Sequence, residues 1–75
     1  MNVGFYVSIV RGEQFRLIAG PYPTEPDARE RLPEMRLRAN ELDPRTSFDF
    51  FGTCRVQQTE PLPNGILTPS QHLLF

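Results

Sequence analysis

Residues 24–43, TEPDARERLPEMRLRANELD, decide how this 75-residue chain is read. Ala28, Leu32, Met35, Ala39 and Leu42 recur at intervals of four, three, four and three, which at about 100° per residue draws one narrow apolar stripe along an α-helix. A stripe of that kind has to bury against another layer. Arg29 and Arg36 fall on one shoulder, Arg31 and Arg38 on the other, and Glu30, Glu34 and Glu41 on the far side. The arginine stems can cover the edges of the stripe while their guanidinium groups stay in water.

Thr24 can cap the helix, because its hydroxyl can accept from a backbone N–H two or three residues on, and Glu25 and Asp27 put negative charge on the first turn. Pro26 suits that turn, whose N–H groups lack helical partners. Asp43 precedes Pro44, which turns it away from helical geometry and ends the element. Pro33 is discordant: inside a helix it removes a hydrogen bond at a cost of about 3 kcal/mol, so either the helix kinks there or it starts later. Leu37 lies opposite the stripe, free to meet solvent, a partner or the C-terminal tail.

Upstream, residues 3–10 read as a strand rich in Val, Ile, Phe and Tyr, with Phe5, Val7 and Ile9 on one face and Tyr6, Ser8 and Val10 on the other. Being apolar on both faces, it belongs in the middle of a sheet. Arg11-Gly12-Glu13 forms a turn, and residues 14–19 alternate again, Phe15, Leu17 and Ala19 against Gln14, Arg16 and Ile18. Gly20-Pro21-Tyr22-Pro23 reads as a rigid connector into the helix. Downstream, residues 47–57 alternate as a third strand, Phe48, Phe50, Cys54 and Val56 against Asp49, Phe51, Thr53 and Arg55.

This order, β-β-α-β, predicts an α+β fold. The helix joins strands two and three by a right-handed crossover, so these run parallel. With the first strand between them every neighbour is antiparallel: a three-stranded sheet in the order 2-1-3, with the helix on one face. Tyr6, Val10, Ile18 and Phe51 are the residues expected to point away from the helix. Residues 1–59 make the domain and residues 60–75 a proline-rich tail holding Ile66, Leu67, Leu73, Leu74 and Phe75. The tail can fold over the open sheet face, dock on another subunit or partner, or stay disordered.

Composition excludes several classes of function. All eight basic residues are arginine and the net charge is −1, which lacks the basic excess of a nucleic-acid binder. Cys54 is the one cysteine and His72 the one histidine, too few for a zinc site, an internal disulfide or a Cys-His nucleophile unless those two meet. No run approaches the roughly 18 apolar residues that span a bilayer, so no membrane role and a cytoplasmic location are expected. No cofactor, metal site or catalytic residue is expected, and the protein reads as a non-enzyme. At this size one core stabilises a fold only marginally, so a second copy or a bound partner would help.

Leu17-Ile18-Ala19-Gly20-Pro21-Tyr22, followed by Ala28, resembles the first half of the SPOR (sporulation-related repeat) domain, a strand ending in Gly-Pro-aromatic and then a helix. The resemblance implies binding to peptidoglycan glycan strands. It covers about a third of the chain; the family's second strand and helix and its export signal are missing, so it assigns no binding residues. The arginine-only, proline-rich appearance with this strand-Gly-Pro-helix core is also similar to small proteins of bacterial plasmids, phages and integrated elements.

The function these features suggest is protein binding, with Tyr6, Arg16, Leu37, Phe51, Arg55, Leu73, Leu74 and Phe75 as the candidate partner-binding residues. The partner would be a larger protein or ribonucleoprotein, and a mobile-element inhibitor of the anti-CRISPR kind is one such module. The alternative is a homodimeric nucleic-acid-binding accessory protein that pools arginines from two chains.

Overall fold

The computed structural model describes residues 1–66. Strands β1 (Asn2–Arg11) and β2 (Gln14–Tyr22) form a hairpin, helix α1 (Glu25–Leu42) follows, a short 3-10 helix spans Pro44–Phe48, and β3 (Phe50–Gln58) closes the element order. The sheet is antiparallel throughout in the order β2-β1-β3, as expected of a hairpin whose first strand is apolar on both faces and sits in the middle. α1 packs against all three strands. No helix among the described residues is long and apolar enough to cross a membrane.

The helix keeps the boundaries its sequence set. Thr24 is extended and its hydroxyl accepts from the Asp27 amide, while Asp43 donates its amide to the Ala39 carbonyl at the other end. Pro33 lies inside α1, which starts at Glu25 and not after the proline. Ala28, Met35 and Ala39 are buried, and Met35 and Ala39 meet Val7, Ile9, Ile18 and Ala19 from the sheet, with Leu32 and Leu42 at the edge of that cluster.

Four expectations about the strands are corrected. β2 runs on through Gly20 and Pro21 to Tyr22, so this stretch is strand and not connector. Ser8 pairs with Leu17 but Val7 with Ala19, which leaves Ile18 as an extra residue in β2. That bulge turns both Ile18 and Ala19 into the core, since one inserted residue reverses the alternation. Residues 47–49 are not strand: the 3-10 helix captures Ser47 and Phe48, and Asp49 caps it. Phe51, opposite Ile9, therefore packs against the core on the helix side, not away from it.

Asp49, expected within the alternation of the third strand, instead caps the 3-10 helix and pairs with Arg11 at the end of β1. Arg11 Nη2 lies 2.7 Å from Asp49 Oδ2 and 3.2 Å from Asp43 Oδ2, while Arg45 Nε reaches Asp43 Oδ1 at 3.0 Å. Hydrogen bonds from Arg45, with help from Arg11, hold the Asp43 carboxyl at about 2, below its ordinary 3.8. A carboxylate depressed in the folded state stabilises the fold above its unfolded pKa and loses that contribution as pH falls toward 2. Denaturation of Asp43→Asn should accordingly show a flatter loss of stability between pH 4 and pH 2 than the parent chain; equal slopes would remove Asp43 from the acid transition.

The far sheet face is covered at one end. Residues 61–66 leave β3 and cross toward β2, where the Gly65 and Ile66 amides donate to the Gly20 and Leu17 carbonyls at 3.1 and 3.0 Å. Beneath them Tyr6 is fully buried and donates its hydroxyl to the Pro63 carbonyl at 2.7 Å. Of the three fates open to the tail, the described part folds over the sheet. Leu67, Leu73, Leu74 and Phe75 lie outside the described residues.

Candidate partner-binding surface

Between α1, the 3-10 helix and β3 lies a groove of about 380 Å³, lined by Leu32, Arg36, Leu37, Thr46 and Phe51 among others. The sequence builds it in three steps. The stripe residues Met35 and Ala39 fix the rotation of α1 on the sheet, which leaves Leu32 at the margin and Leu37 two-thirds exposed. Asp43-Pro44 then turns the chain into the 3-10 helix, whose Asp43 cap accepts from the Arg45 amide and whose Thr46 is buried. The register of β3 on β1 finally places Phe51 on the same side as Val7 and Ile9, so its ring forms one wall.

Arg36 lies over that ring, with its guanidinium carbon 5.7 Å from the centroid, a cation–π contact worth at most about 1 kcal/mol at an exposed site. Along the same sheet face Thr53 donates to Glu25 Oε2 at 3.0 Å, and Arg29 pairs with that oxygen at 2.8 Å. Arg55, next on this face, is exposed. The groove itself has a mostly apolar lining, with polar Asn40, Thr46 and Ser47 and one cation, Arg36.

The structure brings Leu37 and Phe51 together in this groove and sets Arg55 farther along the same side of β3. Arg16 stands apart on β2 opposite Ile9, and its Nη1 donates to the Phe15 carbonyl at 2.9 Å. Tyr6 is corrected: being fully buried with its hydroxyl engaged, it has no surface to offer. Leu73, Leu74 and Phe75 lie outside the described residues. Sequence reasoning missed Arg36 and Leu32 as groove residues, although Arg36 was legible as a shoulder arginine beside Leu37.

A second apolar surface occupies the uncovered part of the far sheet face. Phe15, Val10 and Phe50 form one cross-strand row, with Phe50 and Phe15 exposed and Val10 half-buried; Phe48 is also bare, in the 3-10 helix. Cys54, half-buried on that face, is a free thiol that burial pushes up, against a smaller pull from the Ser8 hydroxyl. Among the described residues no three His, Cys, Asp or Glu side chains gather as metal ligands.

Taken by its architecture, the chain is a small α+β domain, one helix on a three-stranded antiparallel sheet. Comparison with protein-family models, with curated proteins and with solved structures finds no match.

Proposed function

We propose that this domain is a non-enzymatic protein-binding module that docks a partner in the groove between α1 and β3. The observation that supports this reading is the meeting of exposed Leu37 with Phe51 at an apolar groove. Shape, apolar lining and a few charged rim groups are what a docking partner uses for affinity and orientation. Leu37 has no role in the core cluster, so it can be changed without disturbing the fold.

A photoreactive phenylalanine analogue at position 37 should cross-link the full chain to one protein in equimolar amount in the cells that make it. The same analogue at position 64, exposed in the segment that crosses the far sheet face, should not. Leu37→Asp should weaken capture of that protein roughly tenfold or more, as loss of a buried interface anchor does, while the thermal midpoint stays put. Equal labelling from positions 37 and 64, or capture untouched by Leu37→Asp, would overturn the reading.

A further inference from the structure

β3 ends the sheet, and among the described residues no strand lies along its outer side. Natural sheets blunt such an edge with charged side chains, lysine above all, with proline, a bulge or a very short strand. Here the edge strand has nine residues, no proline and a single charge, Arg55, and its register against β1 is unbroken from Asn2↔Gln58 to Val10↔Phe50. An edge this long and regular is a template for another strand.

We propose that its occupant is a second copy of this chain, with β3 laid antiparallel to β3 about a two-fold axis at Cys54, so that two three-stranded sheets become one of six strands. Cys54 is the middle residue of β3, so this register alone pairs the whole strand. It sets Phe50 against the partner's Gln58, Phe51 against the partner's Gln57, Gly52 against the partner's Val56, and Thr53 against the partner's Arg55. A register centred on Arg55 would oppose two guanidinium groups, which is unfavourable across strands.

Charge selects the same arrangement. Arg55 is exposed and makes no ion pair among the described residues. The partner's Arg55 arrives beside Thr53, whose hydroxyl holds the Glu25 carboxylate. Thr53 and Arg29 both engage Glu25 Oε2, which leaves Oε1 to accept from the incoming guanidinium, twice by symmetry. On the other face Phe50, Cys54 and Val56 of both copies join into one apolar surface. Pairing at this edge does not require a different protein in the groove, and either can occur without the other.

Sedimentation equilibrium of the full chain from micromolar to millimolar concentration should give the mass of two 8.6 kDa chains. Arg55→Glu, which puts like charge beside Glu25, should weaken that dimer roughly tenfold with an unchanged circular dichroism spectrum. Diamide takes up two hydrogens, becoming its hydrazine, as two thiols become one disulfide. It should link Cys54 to the partner's Cys54, whereas the Cys54→Ser/Val56→Cys chain, with position 56 facing the partner's Gly52, should cross-link roughly tenfold less. A monomer throughout the range, a dimer indifferent to Arg55→Glu, or equal cross-linking from positions 54 and 56 would each overturn the proposal.

Discussion

Tyr6→Ala is expected to unfold most of the protein at room temperature. Tyr6 is among the largest fully buried side chains, and its ring lies between the sheet and residues 61–66. Truncating a buried aromatic to alanine costs about 3–5 kcal/mol through lost burial and the cavity left behind. A domain of this size has about 4–11 kcal/mol in total, and a single small core tends to the lower end. The conservative change separates packing from hydrogen bonding. Tyr6→Phe keeps the ring, removes the bond to the Pro63 carbonyl and should cost about 1 kcal/mol, a shift of about 1 M in the urea midpoint. An unshifted midpoint for Tyr6→Phe would mean that residues 61–66 are not held by this hydroxyl. Because Tyr6 is buried, both changes should act on stability and leave partner affinity, per folded molecule, as it was.

Gly65→Ala should detach residues 61–66 from the sheet. A Cβ at position 65 would stand 2.5 Å from both Cα and N of Ala19 and 2.7 Å from the Ile18 carbonyl carbon, and these are backbone atoms of a paired strand that cannot turn aside. The segment must lift, which removes the Gly65 and Ile66 amide bonds to β2, breaks the Tyr6 hydroxyl bond and uncovers the Tyr6 ring. Three hydrogen bonds at about 1 kcal/mol each place the loss near 3 kcal/mol. Hydrogen exchange gives the direct readout: the Gly65 and Ile66 amides should lose their protection while amides of the β1–β3 ladder keep theirs. Asn64→Ala, at an exposed neighbour, should change stability by less than about 0.5 kcal/mol. Retained protection at Ile66 in Gly65→Ala would show that the crossing is looser than the contact distances imply.

Both residues show where local reading stops. Asn64-Gly65 is a turn signal by composition, but Gly65 matters because another strand's backbone passes beneath it. Tyr6 alternates onto the side of the sheet that the helix does not cover, and alternation alone makes it a surface aromatic. It becomes a core residue only because a chain segment more than fifty positions away, through Pro63, crosses over it. The Arg11–Asp49 pair is of the same kind, joining a hairpin end to the start of β3 across 38 positions.

The sequence by itself determined the helix and its caps, the three strands and their order, because those depend on interactions within four residues, on alternation, and on a short hairpin whose first strand, apolar on both faces, belongs in the middle of the sheet. Tertiary structure decided which side of each strand is inside. β3 carries apolar residues at both parities, Phe50, Cys54 and Val56 against Phe51, and period-two alternation marks two faces without labelling either as buried. The label comes from its register on β1, which sets Phe51 beside Ile9, and in β2 from one bulge at Ile18 that reverses the parity. The candidate groove depends on the register of β3, which brings Phe51 to the side of α1 and Leu37, so its residues could be named from the sequence one by one, but not their meeting.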